Sequence, residues 1–215
     1  MDLAATLGTP GAALAGHMIR VDLTSKTFGG VPVLGALGFE IAEGETLAIL
    51  GPSGIGKSTL LRIVAGIDRR FEGRVDRPAR VAMVFQEPTL LPWRRAVDNL
   101  TLVHPGLTRA RAEDMLNRVG LAGRAEAYPG QMSLGQQRRL ALARAFAGDP
   151  QLLVMDEPFV SLDPDLAESM LALTEALIAR SRPATLLVTH ARAEAERLAD
   201  RLLRLDGHPA RLAPA

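Results

Sequence analysis

The chain has 215 residues, a length that suits one domain or one domain with a modest insert and leaves no room for two independent catalytic domains. Apolar residues make up 47% and charged residues 23%, which describes a globular chain with a buried core, and a formal net charge of +1 gives no global reason to propose nucleic acid as a partner. Cysteine is absent, which excludes disulfides, thiolate metal sites and cysteine nucleophiles.

The opening residues 1–18, rich in Ala, Gly and Leu, read as a flexible tail. No basic residue precedes their apolar part, which argues against a secretory signal. From Ile19, the residues Ile19, Val21 and Leu23 alternate with polar ones, and Val33 to Ile41 continues in short pieces broken by Gly35 and Gly38. Alternation of this kind predicts an antiparallel β layer. Thr46 to Leu50 is a compact apolar strand ended by glycine, and Leu60, Leu61, Val64 and Ile67 then recur at helical spacing. Arg80 to Phe85 reads as another buried strand, after which Pro88, Pro92 and Trp93 break regular structure and open a differently patterned region.

In that region Ala112, Met115, Leu116 and Val119 line one helical face between an N-cap at Thr108 and a stop at Gly120. A further helix is predicted from Leu134 to Ala147. Strands at Leu152 to Met155 and Ala184 to Val188 flank a helix from Pro164 to Ala179, a unit typical of parallel sheets. A helix from Ala191 to Ala199 and a strand from Leu202 to Leu205 follow. Neither apolar strand approaches the roughly 20 residues needed to cross a bilayer as a helix.

Between the Thr46 strand and the next helix stands Gly51-Pro52-Ser53-Gly54-Ile55-Gly56-Lys57-Ser58-Thr59, a match to G-x-x-x-x-G-K-[ST] in the context that motif requires. Glycines let successive backbone N–H groups turn inward, and the helix adds the positive end of its dipole, so a polyphosphate is the expected guest. Lys57 would reach the β- and γ-phosphates, and Ser58 would offer Mg²⁺ a hard oxygen. Asp156 and Glu157 end the buried Leu152 strand, where an α/β sheet exposes its ligand edge. Asp156 would orient the metal's water shell and Glu157 would act as general base. The alternative for the pair is a helix-capping acidic turn.

These two stations occur in many nucleotide proteins, and four further places discriminate. Met132-Ser133-Leu134-Gly135-Gln136, followed by Gln137 to Ala145, resembles the signature motif and helix of the ABC ATPase family. Gln86 resembles that family's Q-loop glutamine, His190 after Val188-Thr189 its switch histidine, and Ser161-Leu162-Asp163 its D-loop, although Asp163 could equally cap the helix that follows. Phe28 stands where the family places its adenine-stacking aromatic, with core filling as the alternative.

The resemblance runs from about Ile19 to Leu205 and implies a P-loop NTPase (RecA-like) α/β core with an antiparallel β layer and an inserted α-helical subdomain. On that pattern the core is 19–86 and 149–215 and the helical subdomain 87–148. It implies ATP and Mg²⁺ as cofactors, with Ser58, Gln86 and Asp156 at the metal. It also implies a second copy whose Ser133, Gly135 and helix N-terminus complete the γ-phosphate site. The family motif has glycine at position 134, so the loop must adopt a backbone shape that Leu134 tolerates. Arg138, Arg139 and Arg144 read as a solvated or interdomain face.

Gln86-Glu87-Pro88-Thr89-Leu90-Leu91-Pro92-Trp93-Arg94 and Asp156-Glu157-Pro158-Phe159 resemble importers of the nitrate, sulfonate and taurine type. That likeness implies a peripheral subunit at the cytoplasmic face of the inner membrane, a permease touched through Leu90, Leu91 and Trp93, an extracytoplasmic binding protein and no nucleic-acid partner. Two other readings share the nucleotide motifs: a soluble ABC ATPase of DNA repair or translation, and a regulatory nucleotide-binding module with weak turnover.

Overall fold

The computed structural model describes residues 18–215, so the predicted tail lies outside it except for Met18, whose amide donates to Ile41 O at 2.8 Å. The N-terminal layer is built on one long strand, β1 (Ile19–Phe28). Its first half pairs antiparallel with β3 (Leu37–Ile41) and β5 (Glu72–Asp76), and its far end pairs with β2 (Val31–Leu34). Ile19, Val21 and Leu23 point into the core as alternation predicts. A register irregularity between Leu23 and Ser25 then shifts the phase by one, and Lys26 becomes the inward residue.

The second sheet has the order β10-β9-β4-β8-β7-β6. Its strands β4 (Thr46–Leu50), β6 (Val81–Val84), β7 (Leu152–Asp156), β8 (Ala184–Thr189) and β9 (Arg201–Asp206) are parallel, and β10 (Arg211–Pro214) closes one edge antiparallel. Both faces of the central strands are covered, which is why they read as unbroken apolar runs. Leu47, Ile49, Leu152, Val154, Leu186 and Val188 face β1, β3 and helix α1 (Lys57–Val64). Ala48, Leu153, Met155 and Leu187 face the other way. There they meet helices α4 (Leu134–Phe146) and α5 (Pro164–Ser181), with α2 (Ala96–Thr101) and α3 (Arg109–Arg118) packed beyond. A short helix α6 (Arg192–Leu198) follows β8.

Several expectations are corrected. Helix α1 stops at Val64, and Gly66 adopts φ +77, so Ile67 leaves the helical face and is 59% exposed. The strands β5 and β10 and helix α2 were not expected; β5 and β10 are charged or exposed pieces without a clean apolar alternation. No helix among the described residues is long and apolar enough to cross a membrane.

Candidate functional site

Parallel register brings the chemistry to one sheet edge. Leu50 pairs with Thr189, Asp156 with Val188 and Val84 with Met155, so Gly51, Glu157, His190 and Gln86 all emerge from the carboxyl ends of neighbouring strands. A cleft of about 760 Å³ opens there. It is lined by Pro52, Ser53, Gly54, Gly56, Lys57, Ser58 and Thr59 of the glycine loop and helix start, by Gln86, Glu157, Val160 and His190, and by Phe28 and Val33. Gly51 and Ile55 hold the loop to the body. A Cβ on Gly51 would lie 2.9 Å from Leu205 O, and Ile55 is buried in the core. Gly56, at φ +111, is the N-cap of α1 and no side chain caps that helix, so its first amides are left for a ligand.

Lys57 is almost fully buried and its ammonium is shared. It donates to Gly51 O and Pro52 O, both at 2.9 Å, and pairs with Glu157 Oε1 at 3.0 Å. The other Glu157 oxygen lies 2.9 Å from His190 Nδ1. Burial pushes the Glu157 carboxyl up, but the Lys57 hydrogen bond and charge outweigh it, with help from His190, and hold the acid below its ordinary value. Ser58 Oγ donates to Asp156 Oδ1 at 3.1 Å. Burial raises the Asp156 carboxyl, with the Ser58 hydrogen bond opposing and the Glu157 charge reinforcing. Adjacent acids on one strand end are thus tuned in opposite directions.

Phe28 is half exposed and forms part of the cleft wall, so the core-filling alternative does not describe it. Lys26 Nζ sits 4.4 Å from its ring centroid, anchored by Arg70 O at 2.6 Å and Asp68 at 2.7 Å. The predicted residues at the start of α4 are not in this cleft. Ser133 is the N-cap of α4: its hydroxyl accepts from Gln136 N at 3.3 Å, and its own amide donates to Gln136 Oε1 at 3.1 Å. Leu134 is the first helical residue, half exposed and without positive φ, so the backbone shape suits an L-residue. Gly135 packs so tightly on α5 that a Cβ would lie 2.9 Å from Leu166 Cδ1. Asp163 caps α5 by accepting from Leu166 N at 3.0 Å, as the bland reading of that residue anticipated.

Comparison with known proteins decides what this cleft belongs to. A family model described as "ABC transporter" matches residues 34–160. The aliphatic sulfonates import ATP-binding protein SsuB 2 of Rhodococcus jostii is 46% identical over 87% of this chain and 78% of its own length. This chain belongs to the ABC transporter family. The SsuB 2 protein of Frankia alni is 49% identical over 83% of the chain and 73% of its own length. Among solved structures, a dimeric post-hydrolysis state of the ATP-binding cassette MJ0796, bound to ADP and Pi, superposes with a TM-score of 0.76 at 27% identity. That match covers 92% of this chain and 98% of the neighbour. As an ABC cassette the chain binds and hydrolyses ATP.

Of the two readings of the α4 arginines in this ABC cassette, the solvated face does not hold, whereas Arg138 and Arg139 do reach from 87–148 into 149–215, as an interdomain face would. Arg138 is buried and donates to Pro158 O and Val160 O; Arg139 reaches Val119 O and Ser169; Arg144 reaches Pro88 O and Thr89 O beside Gln86. Their partners are mostly backbone carbonyls, with the Ser169 and Thr89 hydroxyls, all 20 or more residues away along the chain, and no local pattern announces them. Trp93 is 69% exposed rather than packed into the helices.

Proposed function

We propose that the chain powers import of a small organic anion, of the aliphatic sulfonate class, through a membrane permease fed by an extracytoplasmic binding protein. It would work as a peripheral subunit at the cytoplasmic face of the membrane. Two copies act together, each closing the other's nucleotide with Ser133, Leu134, Gly135 and Gln136 and with the D-loop residue Asp163. The observation that carries this reading is the division of the motifs. The phosphate loop and Glu157 line one cleft, with Asp156 hydrogen-bonded to Ser58 of that loop, while the capped start of α4 lies outside it, half exposed. The names of the relatives supply the substrate class. In this reading 19–86 and 149–215 form the nucleotide-binding core and 87–148 a helical unit, whose exposed Trp93, with Leu90 and Leu91, receives the permease.

In the proposed mechanism Phe28 stacks on adenine, and the backbone from Gly51 to Thr59 cradles the phosphates. Lys57 exchanges Glu157 for the β- and γ-phosphate oxygens. Glu157, released, takes a proton from a water whose oxygen attacks the γ-phosphorus, while the bond to the bridging oxygen breaks and ADP departs with its electrons. His190 donates a hydrogen bond to the γ-phosphate. Ser58 and Asp156, whose side-chain oxygens lie 3.1 Å apart, offer hard donors of the kind Mg²⁺ takes, and Gln86 lines the same cleft. When bound there, Mg²⁺ would neutralise phosphate charge.

The test is ATP-dependent uptake of labelled aliphatic sulfonates in cells lacking the chain. Restoration by the wild-type chain and not by Lys57→Ala supports the reading; uptake that is normal without the chain contradicts it. The soluble repair or translation reading has no observation in its favour.

A further inference from the structure

Arg138 lies on the second turn of α4 and is only 8% exposed. Its Nη1 donates to Pro158 O at 2.8 Å and its Nη2 to Val160 O at 3.2 Å. Both carbonyls belong to the segment that leads away from Glu157. That segment is bracketed by two non-glycine residues in the left-handed region, Glu157 at φ 44 and Ser161 at φ 59. Such backbone is unfavourable for L-residues and persists only where the surroundings over-determine it. From the core, the Glu157 amide donates to Val188 O at 2.9 Å, and within the turn the Val160 amide donates to Glu157 O at 3.3 Å. Arg138 supplies a hold from the helical side.

The arrangement is poorly explained by stability alone. A guanidinium buried among carbonyls has no acid within ion-pair distance among the described residues, and its Nε–H has no hydrogen-bond partner. Burial works against its charged form, and only the charge of Glu87, the neighbour of Gln86, counters it. What arginine uniquely supplies is a rigid planar fork that can serve two acceptors at once. A second contact ties α4 to the element that follows this turn, because Gly135 packs directly against Leu166 near the start of α5.

We propose that Arg138 is a positioning residue for hydrolysis: by gripping the carbonyls of Pro158 and Val160 it fixes the turn that aims the Glu157 carboxylate, and so ties the start of α4 to the acid of the same chain. This rests on the reading of Glu157 as general base. Hydrolysis by the unaltered protein is therefore measured first, and its absence would overturn that reading and this inference with it.

The experiment compares Arg138→Met with wild type in steady-state ATPase and Mg-ATP binding assays, and repeats the substitution in a Glu157→Gln background. A misaimed base should lower kcat by roughly tenfold to a hundredfold. KM and the nucleotide Kd should stay within a small factor of wild type. Because the effect runs through Glu157, the same substitution added to Glu157→Gln should leave the residual rate nearly unchanged. Arg138→Lys, which keeps the charge but cannot fork, should recover part of kcat, and it carries the test by the same criteria if the methionine variant does not fold. The inference is overturned if nucleotide affinity falls in step with kcat, or if the loss is undiminished in the Glu157→Gln background.

Discussion

The Lys57 ammonium lies 3.0 Å from the Glu157 carboxylate, so the cation of the phosphate loop and the acid at the end of β7 neutralise one another. In the proposed mechanism a triphosphate competes with Glu157 for Lys57, and the acid would gain its freedom when the lysine changes partner.

Removing the competitor should therefore help binding while stopping chemistry. Glu157→Gln is expected to tighten Mg-ATP by about threefold or more, the order expected from losing a partly screened ion pair. Titration calorimetry reads this directly, and an unchanged or weaker affinity would argue against the competition.

Phe28 presents the cleft with one ring, which lies 4.4 Å from the Lys26 ammonium. Phe28→Ala should cost about 1–3 kcal/mol of ATP affinity, the range for an aromatic stacked on a base. Inorganic tripolyphosphate, which has no base, should bind the variant and the wild type alike. Equal losses for both ligands would mean that Phe28 acts on the loop instead of on adenine.

The glycine loop, the acid pair and His190 were legible because their spacing is local and each follows an apolar run that can only be a buried strand. Leu134 was legible as a question, and the answer lay in α4 beginning at Leu134 itself, as the apolar pattern predicted, so that no positive φ is needed there. Lys26 and Arg138 were not legible. One turns inward because of a strand irregularity, and the other is bound to carbonyls 20 and 22 residues away, so both depend on tertiary geometry. Strand β5 stayed hidden because its residues are charged or exposed and it is held by β1 through backbone pairing.

Since Leu134 occupies the first helical position without positive φ, Leu134→Gly relieves no strain. It should lower stability by at most about 1 kcal/mol, the helix penalty of glycine, and leave ATP hydrolysis at a comparable rate. Thermal unfolding and phosphate release check this; a large gain in hydrolysis would show that the leucine restrains the site.

The ion pair beneath Phe28 predicts a pH dependence. The Lys26 hydrogen bond, joined by the Arg70 amide, holds the Asp68 carboxyl below its ordinary value. The folded protein then binds fewer protons than the unfolded chain near the carboxylate range, so the pair's contribution is complete above the unfolded value and is lost as pH falls through the folded one. The difference in Tm between wild type and Asp68→Asn should be constant near neutrality and shrink below about pH 4. A difference that holds constant down to pH 3 would contradict the assignment.

In the proposed dimer two copies share their nucleotides, with Ser133 and Gly135 of one chain completing the cleft of the other. Light scattering of the Glu157→Gln protein on a sizing column, with and without Mg-ATP, tests it most directly. Twice the chain mass is expected when Mg-ATP is present, reversed by adding Ser133→Arg. A protein that stays at the mass of one chain under saturating Mg-ATP, with the wild type hydrolysing ATP at full rate in the same state, would contradict it.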